Sequence, residues 1–88
     1  MNAKGQLDEA IASFKKAIAL DPNYAEAHCN LGGALDKKDD MDGAVAAFRE
    51  AVRIDPKNPR FTQNLNIALK RKAERDAKTA PPPRPVDR

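Results

Sequence analysis

Apolar residues return every three or four positions along most of the chain, and short polar breaks divide that pattern into four stretches. A helix with one face against a core has this spacing. The first stretch, 6–20, places Ile11, Phe14 and Ile18 on one stripe with Ala10 and Ala17 beside it. Asp21-Pro22 closes it, and Asn23-Tyr24-Ala25-Glu26 offers a capping asparagine with a carboxylate three residues on. That arrangement predicts a capping box opening a second helix over 24–37, whose stripe is His28, Leu31, Gly32 and Leu35. Lys37-Lys38-Asp39-Asp40 interrupts the stripe and predicts a turn. A third helix over 41–54 carries Met41, Ala44, Val45, Phe48, Ala51 and Val52, and Asp55-Pro56 ends it. Proline cannot continue a helix, and it disfavours helical geometry in the residue before it. Asn58-Pro59 starts a fourth helix as cap and first-turn proline. Glu74 and Lys78 form a favourable i,i+4 pair, and nothing breaks the helix before Thr79. The fourth helix is therefore expected over 59–78, its far half solvated.

The pattern repeats. Shifting the sequence by 34 residues lays Leu7-Asp8-Glu9-Ala10-Ile11-Ala12-Ser13-Phe14 over Met41-Asp42-Gly43-Ala44-Val45-Ala46-Ala47-Phe48 without a gap. The register continues with Asp21-Pro22 over Asp55-Pro56, Asn30-Leu31 over Asn64-Leu65 and Ala34-Leu35 over Ala68-Leu69. Within one period there are two helices and two breaks, the form of a stacked helical repeat. His28, Leu31-Gly32, Leu35, Ala44, Phe48 and Pro56 stand at the spacings of the tetratricopeptide-repeat pattern, and over residues 1 to 72 the chain resembles that family. It departs from the pattern with His28 where Trp is typical and Leu35 where Tyr is typical. Asp39 replaces the frequent turn glycine, which Gly5 supplies in the preceding unit.

The resemblance implies an all-α fold: antiparallel helix-turn-helix units stacked as a right-handed α-solenoid of four helices. Residues 6–20 match the second helix of a repeat, 24–55 one full repeat, and 59–69 a further first helix with Asn66 where the family has Gly. One continuous core is expected from Ile11, Phe14, Ile18, Leu31, Leu35, Val45, Phe48, Val52, Leu65 and Leu69. Ala10, Ala17, Ala27, Ala44 and Ala51 would let helices approach closely.

Composition limits what this core can be. Of 88 residues 36 are apolar, but 16 of those are alanine, so one thin-cored domain is the most the chain builds. No apolar run approaches the ~20 residues of a membrane span, and the N-terminal residues lack the apolar stretch of a signal peptide. A soluble, cytoplasmic protein is expected. The net charge of +3 is uneven: residues 1–58 carry eight Lys/Arg against ten Asp/Glu, and residues 59–88 eight against three. The basic character belongs to the last third.

No catalytic, metal-binding or cofactor-binding group is expected. His28 lies in the packing stripe with no second histidine, and Cys29 has neither a disulfide partner nor a basic neighbour to activate it. Asp36, Asp39, Asp40 and Asp42 surround a turn without the glycine bend and distal Glu of a calcium loop. There is no phosphate loop or nucleophile–base pair, so the sequence reads as a binding module and not an enzyme.

In stacked repeats the first helices line a concave groove. Off-stripe residues that would face it are Glu26, Cys29, Asn30, Gly33 and Lys37 on one helix, and Arg60, Gln63, Asn64, Ile67 and Arg71 on the next. The family resemblance implies that Asn30 and Asn64 hydrogen-bond the backbone of a peptide, with Arg60 adding a carboxylate contact. The carboxylate clamp of some relatives wants a second cation where this chain has Asn64. A protein or peptide is thus the expected partner. The alternatives are a nucleic acid or other polyanion on Arg60 and the 70–88 cations, and self-assembly through open repeat ends. In the latter, 59–69 of one chain would pack on 6–20 of another as a composite repeat. Against nucleic acid, Phe61 is the only aromatic in that segment. The final Ala80-Pro81-Pro82-Pro83-Arg84-Pro85-Val86-Asp87-Arg88 reads as a disordered proline-rich tail, with Pro82-x-x-Pro85 as a candidate ligand for SH3-type grooves.

Overall fold

The computed structural model describes residues 3–79, with side chains from Gly5 to Ala77. The proline-rich segment that follows lies outside the described residues. Four helices follow one another: α1 (Ala3–Leu20), α2 (Ala25–Lys37), α3 (Met41–Ile54) and α4 (Pro59–Thr79). Each packs on its neighbour in sequence, α2 against α3 most extensively, and α2 also meets α4. This is the all-α solenoid arrangement of antiparallel helix pairs. The radius of gyration is 15.4 Å, beyond the ~12 Å of a compact chain of this length, as expected when units stack in a row.

The breaks work through identifiable hydrogen bonds. At the end of α2, Asp40 N–H donates to the Leu35 carbonyl (2.8 Å) and Asp39 N–H to that of Asp36 (3.0 Å). This is a Schellman closure with Asp39 in the left-handed region at φ 69°. The Asp40 side chain then caps α3 by accepting from Gly43 N–H at 3.0 Å. At α4 the expected cap forms: Asn58 Oδ1 accepts from Arg60 N–H (3.0 Å), with Pro59 as first helical residue.

The capping box at α2 does not form. Tyr24 occupies the cap position without a side-chain bond. Glu26 turns across to Arg60 on α4, and Asn23 N–H goes to Asp21 Oδ1 (3.2 Å). A cross-helix cation has won the carboxylate from the backbone amide. Gly5 likewise serves no turn: α1 begins at Ala3 and runs through it, and Gly5 has no positive φ.

The core is two clusters joined at Leu35 and not one continuous body. One holds Phe48, Val45, Ala44, Ala51, Cys29, Phe61 and Ala68 between α2, α3 and α4, with Val52 and Leu65 packed at its edge. The other holds Ile11, Leu31, Ala34 and Ala47, edged by Leu7, Phe14 and Ile18. Leu69, expected inside, is 36% exposed, because among the described residues no helix lies beyond α4 to cover that face. Phe61 and Ala68 take up the burial instead, 3% and 2% exposed. They lie on the side of α4 turned to α2 and α3. His28 is buried as a packing residue, and its Nε2–H donates to the Pro22 carbonyl at 3.0 Å, tying the α1–α2 turn to α2.

Candidate functional site

α1, α2 and α4 border an open groove of about 550 Å³. Its sides are built from what helical spacing leaves over. On α2 the stripe residues face α3, so Asn30, Gly33 and Lys37, one turn apart, line the groove. On α4 Arg60, Asn64 and Ile67 do the same, over a floor that includes Cys29, Ala34, Phe48 and Ala68.

Of the ten residues expected here, seven line the groove. Glu26 is at its rim, where it bonds Arg60. Arg71 is engaged through Nη1 by Asp36 Oδ2 at 2.6 Å. Gln63 is exposed but outside the lining. Cys29 belongs to the floor and not to the accessible wall: it is 6% exposed and packed in the core, and its Sγ accepts from Asn64 Nδ2 at 3.2 Å. Its i+1 relation to His28 suggested a different face, but helices press on α2 from two sides, so the off-stripe position is covered as well.

The electrostatics follow from these pairings. Two cross-helix ion pairs, Glu26–Arg60 and Asp36–Arg71, tie α2 to α4 and neutralise both arginines. Asp36 Oδ1 is buried without a partner among the described residues. Asn30 and Lys37 are exposed and have no side-chain partner among the described residues. Gly33 leaves open space: a Cβ built on it would meet nothing within 4 Å. The adjacent Gly32 is the opposite case, since a Cβ there would lie 2.7 Å from Cδ1 and Cε1 of Phe48. Gly32 is required by packing inside the fold, and Gly33 is not.

α1 contributes a further wall. Leu7, Ala10 and Phe14 line the groove, where the 6–20 match to a repeat's second helix leaves part of its apolar face without a covering partner. The signal was present in the 34-residue register: their counterparts Met41, Ala44 and Phe48 are covered by α2, and nothing among the described residues stands in α2's place before α1. The groove can thus offer side-chain amides and one unpaired ammonium beside an apolar wall. Among the described residues no helix is long and apolar enough to cross a membrane.

A family model described as a TPR repeat matches residues 2–39, and one described as a tetratricopeptide repeat matches residues 25–58. No curated protein matches the chain. The second match coincides with the helix pair α2–α3 and the break that follows it. With the two-helix unit recurring at the same spacing in sequence and in structure, this chain belongs to the tetratricopeptide-repeat family, whose repeats generally mediate protein–protein interaction.

Proposed function

We propose that the chain is a protein-interaction scaffold that takes a peptide or protein segment in the groove between α1, α2 and α4. The observation that carries this is the juxtaposition of unpartnered polar groups, Asn30 and Lys37, with the apolar wall of Leu7, Phe14 and Ile67. Specific sites pair a few placed hydrogen-bonding groups with apolar surface. Asn30 and Asn64 supply hydrogen-bonding groups to the bound segment, and Lys37 supplies the charge. Arg60 is already engaged by Glu26, so a carboxylate clamp on it would first have to break an ion pair.

The engaged cations also weigh against polyanion binding. Arg60, Arg71 and Lys72 each bond an acidic residue of the fold: Glu26, Asp36, and Asp76 with Asp42. Self-assembly as a composite repeat lacks its seat. In that arrangement Phe14 of one copy would lie on Asn66 of another as Phe48 lies on Gly32, where even a Cβ is too close. A peptide-library pull-down with the parent, Asn30→Ala and Asn64→Ala tests the proposal. Peptides lost on Asn30→Ala support it. Tight, salt-resistant binding of generic RNA with no peptide captured would overturn it.

A further inference from the structure

The 34-residue register supplies an internal control for the exposed wall of α1. Met41, Ala44, Phe48 and Ala51 on α3 are at most 5% exposed, because α2 lies across them. Their α1 counterparts Leu7, Ala10, Phe14 and Ala17 are all half-buried. The same four-position face is therefore finished on α3 and unfinished on α1. A second counterpart pair points the same way: Arg71 on α4 meets Asp36 of the preceding α2 at 2.6 Å. Lys37 occupies that place one repeat earlier and has no partner among the described residues.

We propose that the groove accepts an α-helix of a partner protein, laid across the Phe14 face of α1 in the manner that α2 lies across Phe48. This rests on the groove reading above and names the class of segment bound. Two features of α2 define the chemistry required of that helix. It carries a glycine or another residue of minimal size opposite Phe14, because the equivalent ring tolerates no Cβ at Gly32. It also carries an acidic residue four positions later, as Asp36 follows Gly32, to pair with Lys37. Apolar positions at helical spacing complete its contact face. The occupant is not a second copy of this chain: α2 is already engaged with α3, and α4 presents Asn66 where the small residue must be.

The probe is a synthetic peptide of residues 24–38 with Cys29→Ala, labelled for fluorescence anisotropy and titrated with the full chain. A second peptide adds Gly32→Leu. The first is expected to bind with a gain in helical circular dichroism, and the second about tenfold or more weaker. Phe14→Ala in the protein should weaken the first peptide by a similar factor. Lys37→Glu should weaken it most at low salt, where charge pairs are least screened. Because the Gly32→Leu comparison uses the unaltered protein, it stands even if Phe14→Ala fails to fold. Equal affinity of the two peptides, or no binding of the first, overturns the inference. So does a chain that sediments as a dimer with α1 shielded. If extended library peptides bind through Asn30 while the helical probe does not, the helix is refuted and the groove reading stands. If neither binds, both fall.

Discussion

Two adjacent glycines on α2 should respond to the same substitution with opposite signs. Gly33 projects into open space, so Gly33→Ala removes a helix-interior glycine at no packing cost. It should stabilise the chain by up to about 1 kcal/mol. Gly32→Ala makes the same propensity gain, but its methyl group would sit 2.7 Å from two ring carbons of Phe48 and 2.9 Å from a third. That ring is 5% exposed and enclosed by its cluster. Overpacking of this kind costs about 1–3 kcal/mol, and against a ring this enclosed the upper part of that range outweighs the propensity gain, leaving a net loss of up to about 2 kcal/mol. In a domain of this size 1 kcal/mol moves Tm by about 4–8 °C. Thermal melts followed at 222 nm should place Gly33→Ala above the parent and Gly32→Ala below it. Tm shifts of the same sign in both variants would refute the assignment of Gly32 to internal packing and Gly33 to the groove. Gly33→Ala should also weaken peptide capture, so that stability and binding move in opposite directions.

Asp39→Gly relieves a left-handed backbone at φ 69° and should stabilise by about 0.5–1 kcal/mol, read as a rise in the urea midpoint with unchanged m. A double-mutant cycle on Glu26→Ala and Arg60→Ala should return a coupling of about 0.2–1 kcal/mol that shrinks with added salt, since both side chains are substantially exposed. Bonding from Arg53 holds the Glu50 carboxyl below its ordinary 4.5, and Lys72 holds Asp76 below 3.8. Folded-state values that are depressed stabilise above the unfolded values, and this contribution is lost as pH falls through the lowered ones. The Tm gap between the parent and a Glu50→Gln/Asp76→Asn double variant should therefore narrow between about pH 5 and pH 2.

The helices were legible because their stops are chemical: Asp55-Pro56 and Asn58-Pro59 end and start elements by the missing amide and the capping oxygen. Competition between partners was not legible. Asn23 and Glu26 had the spacing of a capping box, but whether Glu26 turns back or crosses to Arg60 depends on where another helix lies. The same holds for burial on α4. Leu69 continues a good apolar stripe, yet a stripe is buried only if something stands opposite it, and the neighbours favour Phe61 and Ala68. In the groove, polar off-stripe residues such as Asn30 and Lys37 could be read from spacing alone. The open Phe14 face could be read from the repeat register, in which 6–20 matches only a second helix; which side chains share its groove could not, because that depends on where α2 and α4 lie.

Among the described residues the outer faces of α1 and α4 differ in chemistry. At α1 the open face is Leu7, Ala10, Phe14 and Ala17, a surface with small residues on either side of one ring. Another helix can settle there, since the alanines permit close approach and the ring needs only a small residue opposite it. At α4 the corresponding open face carries Thr62, Asn66, Leu69 and Lys70. A helix arriving there would have to desolvate the Asn66 amide and meet its Cβ at the position where Gly32 tolerates none. Farther along α4, Lys72 reaches back to Asp42 on α3 and across to Asp76 on its own helix, holding the solvated half in a local charge network. Among the described residues the open face of α4 is thus polar, while that of α1 is apolar and corresponds to the face that α2 covers on α3. The face that α2 covers on α3 is on α1 turned into the groove, beside the amides of Asn30 and Asn64 and the ammonium of Lys37.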